Sequence, residues 1–218
     1  MIITKFPQSC LSVETGGVRL LFDPGVLKYQ ESFFEVWNES DAVFITHKHS
    51  DHCDPAVISE FSKDIPVYAS KEVTDAHSML AHAKRIKEGD VVSLGGVSVT
   101  AVKAIHGYHP KMKGNEIHEN IGYLVNDGSI TLYITSDTIC FPCDIKADVL
   151  AVPVTGHGVT MTAFEASLFA LEVGAKHIIL THMDNQAFEV DLPYISKHFK
   201  NSGLEYIILD IGAVYAIS

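Results

Sequence analysis

The sequence predicts a layered α/β protein, a four-layer αββα sandwich with two pseudo-equivalent halves. Three observations lead there. Apolar runs of strand length alternate with helical stretches, the pattern of sheets covered by helices. The order hairpin, strand, histidine-bearing loop, helix, strand occurs twice along the 218 residues, which suggests two sheets packed face to face. No low-complexity linker separates the halves, so residues 1–218 read as one domain.

In the first half, "CLSVETGGVRLLFD" holds two β-rich runs around Thr15-Gly16-Gly17, a hairpin signal. "DAVFITH" is a short apolar run bounded by polar residues, as expected of a buried strand. Asp54 and Pro55 then supply an N-cap and a first-turn proline for a helix over "PAVISEFS". "IPVYAS" returns as a strand. Ser70 caps a helix predicted to run to about Ala83, with Val73, Ala76 and Leu80 on one face. "VSVTAVKAIH" is a strand that ends at His106.

The second half repeats this order. "IGYLVNDGSITLYITSD" is a hairpin around Asn126-Asp127-Gly128, and "DVLAVPVTGH" a buried strand running to a histidine. "TAFEASLFALEVG" opens with Thr162 and Glu165 in capping-box spacing and closes at Gly174. "KHIILTH" is the next strand, "DLPYISKHFKNSG" a helix between an Asp191 cap and a Gly203 stop, and "YIILDIGAVYAI" two short strands.

A chain with 47% hydrophobic residues can bury a sizeable core without covalent staples. Its net charge of −11 argues against nucleic acid as a partner, because a phosphate backbone needs a basic surface. A small substrate, even an anionic one, still fits if bound cations offset the local charge. No apolar run is long enough to span a bilayer, and "MIITKFPQSC" lacks the features of a signal peptide. The four cysteines are too few and too unevenly spaced for a disulfide framework, so reduced thiols in a cytoplasm are expected. Oligomeric state is left open; a homo-oligomer is compatible with the sequence.

His47, His49, Asp51 and His52 fall within six residues, after a predicted buried strand and before a capped helix. Imidazole nitrogens and carboxylate oxygens at that density suit Zn, Mn or Fe. Neighbouring side chains diverge, so these four donors cannot readily surround one ion without backbone strain. Two adjacent ions resolve the problem, with His47 and His49 facing one and Asp51 and His52 the other. Each ion then needs further ligands. Candidates sit where other apolar strands stop, at His106, Asp137 and His182.

The pattern His-x-His-x-Asp-His in "THKHSDH", followed by His106, Asp137 and His182, resembles the metallo-β-lactamase-fold superfamily. "DPG" after the first hairpin, "NIGYLVNDGSITLYITSDT" and "PVTGHGVTMTAFEA" are similar to the small metal-dependent hydrolases related to L-ascorbate-6-phosphate lactonase. The likeness implies two divalent ions, zinc first among Zn, Mn and Fe. One would take His47, His49 and His106; the other, Asp51, His52 and His182; Asp137 would bridge them. It implies hydrolysis of a small ester, lactone or phosphodiester by a hydroxide between the ions, with Asp51 orienting it or accepting its proton. Di-iron redox members usually carry a glutamate where this chain has His49, which favours a hydrolase. A non-catalytic metal-binding regulator is the alternative that the complete ligand set argues against.

Around the cluster, His157 is a candidate for binding an anionic substrate group or protonating a leaving group, helped by amides at the start of the following helix. His109, with Lys111 and Lys113, is a second candidate substrate contact. Asp23, ending the first hairpin, is placed beneath the site as a carboxylate that orients a ligand histidine. Cys53 and the Cys140–Cys143 pair, a lone CxxC, are read as structural, and "ESFFEVW" as buried packing.

Overall fold

The computed structural model describes residues 1–107, 114 and 116–217, and its strands form two mixed sheets. The first contains β1 (Ile2–Lys5), β2 (Leu11–Thr15), β3 (Val18–Phe22), β4 (Ala42–Phe44), β5 (Val67–Ala69), β6 (Lys84–Arg85) and the C-terminal β13 (Val214–Ala216). Its order is β13-β1-β2-β3-β4-β5-β6. The second contains β7 (Val91–Leu94), β8 (Val97–Lys103), β9 (Ile121–Asn126), β10 (Thr131–Ile134), β11 (Val149–Pro153) and β12 (His177–Thr181), in reverse order from β12 to β7.

The two halves match in topology. β1, β2 and β3 pair antiparallel, and β4 and β5 then add in parallel. β8, β9 and β10 pair antiparallel, and β11 and β12 then add in parallel. Parallel addition needs crossovers, and these place helices on the outer faces.

Three apolar clusters separate four layers. Leu20, Phe22 and Phe44 of one sheet meet Val99, Tyr123 and Leu132 of the other. Phe44 stacks on Phe22 and Tyr68, and the Tyr123 hydroxyl crosses to donate to Ile45 O at 2.8 Å. Outside the first sheet, α1 (Glu31–Trp37), α2 (Pro55–Ser59) and α3 (Lys71–Ala76) bury Phe33, Trp37, Ile58 and Val73. Outside the second, α4 (Ala163–Val173) and α5 (Leu192–Asn201) bury Phe169, Ala170, Ile195 and Phe199. Each such large side chain contributes about 1.5–3 kcal/mol by leaving water. No helix among the described residues is long and apolar enough to cross a membrane.

Local signals hold where they are local. Thr162 and Glu165 form a reciprocal capping box, Gly174 closes α4 in the left-handed conformation, and Asp54, Ser70 and Asp191 cap their helices. The helix opened by Ser70 stops at Ala76, short of Ala83. His77 is extended, its ring 3.2 Å from Lys48 O, and a separate 3₁₀ turn (Ser78–Leu80) buries Leu80 while Ala76 stays exposed. At the C-terminus only Val214–Ala216 forms a strand; Ile207 makes a single bridge to Ile179. "ESFFEVW" is α1, with Phe33 and Trp37 packed edge-on against Phe6.

Candidate metal centre

The chemistry collects at one edge of the sandwich, past the C-terminal ends of strands. Asp23 follows β3, His47 to His52 follow β4, His106 follows β8, Asp137 follows β10, Thr155 and His157 follow β11, and His182 follows β12. Turning side chains inward there takes unusual backbone. Asp23, Ser136 and His182 have φ of 50°, 63° and 61°, a left-handed conformation costing on the order of 1 kcal/mol each outside glycine.

Two donor groups result among the described residues, each with its ligand atoms within 4.8 Å of one another: His47, His49 and His106, and Asp51, His52, Asp137 and His182. In the first, His47 Nε2 and His106 Nε2 each lie 3.1 Å from His49 Nδ1. In the second, Asp137 Oδ2 is 3.2 Å from His52 Nε2 and 3.0 Å from His182 Nε2, and Asp51 Oδ2 is 3.4 Å from His182 Nε2. Buried Asp137 Oδ1 has no hydrogen-bond partner among the described residues, although burial should force pairing. Convergent imidazole and carboxylate donors with unspent lone pairs fit a divalent cation in each group.

The far nitrogens of four of the ligand-type histidines are also fixed. His106 Nδ1 is 3.3 Å from Val159 O, an atom that can only accept, so the proton sits on Nδ1 and Nε2 keeps its lone pair. Val159 reaches that position at φ 66°. His52 Nδ1 is 2.8 Å from Asp23 Oδ2, His47 Nδ1 is 3.0 Å from Thr46 Oγ1, and His182 Nδ1 is 3.1 Å from Thr155 Oγ1. Asp23 also accepts from Thr46 N–H and Thr46 Oγ1–H, both at 2.8 Å. Asn120 donates to Asp137 O at 2.7 Å. Of these supports only Asp23 was legible in the sequence, because it ends a strand next to a proline. Thr46, Asn120, Thr155 and Val159 carry no signal apart from their place in the fold.

Electrostatically the two groups differ. Burial lowers His106 to about 4 and His47 well below the ordinary 6.5, so both imidazoles are neutral near neutrality. Burial also pulls on His182, but the Asp137 and Asp51 carboxylates outweigh it and raise His182 to about 9. His52 is raised for the same reason, by Asp137, Asp51 and Asp23. Burial acts to raise Asp51 and Asp137 as well, but the facing histidines win and lower both. Without metal, protons stand in for the cation in the second group.

This predicts a pH optimum of stability for the chelated protein. The His182 contribution is fully present below 6.5 and lost as pH rises through 9. The His106 contribution is present above 6.5 and lost as pH falls toward 4. Thermal unfolding of the metal-free chain should therefore show a maximum near pH 6.5, and added divalent metal should remove the alkaline arm by replacing the protons. A midpoint that keeps climbing to pH 9 without metal would refute the assignment.

The metal-motif loop rests on Gly25. A Cβ there would lie 2.1 Å from Asp51 O, against backbone held by Val26 N–H to Ser50 O and Asp54 N–H to Pro24 O, both 2.8 Å. Gly25→Ala is expected to cost about 1–3 kcal/mol and to displace Asp51. Unfolding midpoints with and without metal test this; unchanged values in both states would dismiss it.

A cleft of about 270 Å³ opens beside the second group, lined among others by Val26, Leu27, Ser50, Gly158, Asn185 and Phe188. His157 is exposed at its rim, with its ring stacked on Phe188 at 4.6 Å. The capping box spends the Thr162 and Glu165 amides within α4, so neither is free to assist His157. His109, with Lys111 and Lys113, lies outside the described residues. Cys53 is fully buried and its thiol pushed up by burial, which suits packing. Cys143 is buried in the α4 cluster with its N–H on Glu172.

Comparisons with known proteins agree with this geometry. The profile of the Beta-lactamase superfamily domain matches residues 2–182. A Mycobacterium tuberculosis protein, Rv0786c, is 34% identical over 159 residues, covering 70% of this chain and 71% of that one. A UPF0173 metal-dependent hydrolase of Rubrobacter xylanophilus is 25% identical over 206 residues, 87% of this chain and 84% of its own. Among solved structures, the metallo hydrolase Igni18 of Ignicoccus hospitalis superposes with a TM-score of 0.78 at 19% identity, covering 100% of this chain and 99% of its own. With its sandwich topology, its strand-end donors and a profile match over most of its length, the chain belongs to the metallo-β-lactamase superfamily.

Proposed function

We propose that this protein is a metal-dependent hydrolase that holds two divalent cations, most readily zinc, and cleaves a small ester, lactone or phosphodiester. The observation that carries the reading is the pair of adjacent donor groups, with buried Asp137 Oδ1 left unspent. The relatedness to metal-dependent hydrolases supports the reaction class. Bound there, such cations polarise a carbonyl or phosphoryl oxygen and bring the pKa of water down to about 7.

The chain's own residues do the rest. His47, His49 and His106 would hold one cation and Asp51, His52 and His182 the other, with Asp137 as a further carboxylate ligand at the second group. Asp51, partly open to the cleft, orients the attacking water and takes its proton. Val26, Leu27 and Phe188 form an apolar wall that excludes bulk water from the reacting group. The cleft is at the small end for a ligand site, which favours a small substrate. His157, at the rim, contacts an anionic substituent or protonates the leaving group.

Metal analysis paired with turnover of bis-p-nitrophenyl phosphate, p-nitrophenyl acetate and simple lactones tests the reading. Two equivalents of metal and chelator-reversible hydrolysis of at least one class are expected. Well under one equivalent per chain would reject the two-cation site. Full loading without turnover of any class would favour a metal-binding regulator.

A further inference from the structure

We propose that Gln8 is a positioning residue for the second donor group, anchored from beneath by the ion pair of buried Lys5 with Asp184; this rests on the two-cation reading. Gln8 is fully buried and sits at φ 58°, a conformation that glutamine adopts only when its surroundings impose it. Its side-chain amide joins two loops. Oε1 accepts from Asp184 N–H at 2.9 Å, and Nε2 donates to Asp51 Oδ2 at 3.1 Å. The first bond fixes which end of the amide is oxygen, so the second is a donor aimed at a ligand-type carboxylate.

The backbone of Gln8 takes part as well. Its N–H donates to Asp184 Oδ2 at 2.7 Å, and its carbonyl accepts from His182 N–H at 3.2 Å. One residue therefore holds the side chain of Asp51 and the strained main chain of His182. Asp184 in turn accepts from Lys5 Nζ at 2.8 Å, and Lys5 is 2% exposed. An ammonium so buried needs its counter-charge, which keeps Asp184 in place. Lys5 has no role in the proposed reaction, and this anchoring gives its burial a purpose. A carboxylate oxygen has two lone pairs; Gln8 takes one on Asp51 Oδ2, so the other would be left for a cation.

The test titrates zinc into chelator-stripped wild type, Gln8→Ala and Gln8→Glu in competition with a chromophoric chelator, and follows thermal unfolding of each metal-free form. Both substitutions keep a β-carbon, so the backbone cost at φ 58° is unchanged. Wild type should bind two equivalents. In Gln8→Ala one equivalent should keep its affinity and the other weaken by about 10–100-fold. Gln8→Glu should weaken that same equivalent at least as much, since it fills the same space but sets a second carboxylate against Asp51. Wild-type affinity for both equivalents in either variant overturns the proposal. So does equal weakening of both equivalents with a matching drop in the metal-free unfolding midpoint, which marks a merely structural prop. A single equivalent in wild type overturns the two-cation reading itself, whereas two equivalents there and undisturbed variants reject Gln8 alone.

Discussion

Asp137→Asn is expected to reduce metal-dependent hydrolysis by at least about a thousandfold and to lower bound metal below two equivalents. The size follows from what the residue would do. Lewis-acid stabilisation supplies several kcal/mol, and about 4 kcal/mol corresponds to a factor of a thousand in rate. Asparagine keeps the volume of a side chain that is 3% exposed, so packing around it need not change. The negative charge is lost, however, and one carboxylate oxygen becomes an NH₂ donor. Asp137 Oδ2 now faces His52 Nε2 and His182 Nε2 at 3.2 and 3.0 Å, while Oδ1 is unpaired. Whichever way the amide points, a donor meets either two ligand nitrogens or the unspent position. The titration of the metal-free site should shift too, because Asp137 is the carboxylate that chiefly raises His182 to about 9. A variant with wild-type kcat and two bound equivalents would remove Asp137 from the centre of the mechanism.

The sequence carried the fold class and the strand-end donors because both rest on short-range energetics. A capping box joins residues three apart, and a buried strand must be apolar wherever it lies in the chain. The donors were visible because the metal-type residues interrupt such runs abruptly, as His182 does after "HIILT". What stayed hidden depends on contacts between distant segments. Gln8 bonds to Asp51 across 43 positions and to Asp184 across 176, so nothing near it in the chain marks it. Lys5 points inward from β1, where a binary pattern would demand an apolar residue, because a partner 179 residues away neutralises it. The helix after Ser70 ends early although its apolar spacing continues, since the His77 ring faces Lys48 O in the metal-motif loop. In each case a local preference gives way to a polar group that must be satisfied across the fold.

Asp23→Ala should weaken both equivalents of metal, by about 10–100-fold each, although Asp23 faces only one ligand histidine directly. Its Oδ2 lies 2.8 Å from His52 Nδ1 and accepts from Thr46 Oγ1–H at the same distance, and that hydroxyl lies 3.0 Å from His47 Nδ1. A hydroxyl that donates to Asp23 must accept from His47, so one carboxylate puts the proton on Nδ1 of a histidine in each donor group. Alanine removes that control and orphans buried donors, at about 1–3 kcal/mol each in the metal-free protein. Asp23→Asn separates this role from the filling of an Asp-Pro turn. With its oxygen toward Thr46 N–H, the NH₂ donates to Thr46 Oγ1 and His52 Nδ1. Thr46 must then donate to His47, and both histidines carry their proton on Nε2, where the cation needs a lone pair. With the amide reversed, NH₂ meets Thr46 N–H, a clash of two donors. The first orientation exchanges the ligand tautomers and the second keeps them only against a donor–donor clash at Thr46 N–H, so asparagine should lose affinity for both equivalents despite its nearly identical shape. Chelator-competition titrations of Asp23→Asn decide the matter. Wild-type affinity there would mean that space and backbone bonding suffice at this position and that the ligand tautomers are set elsewhere.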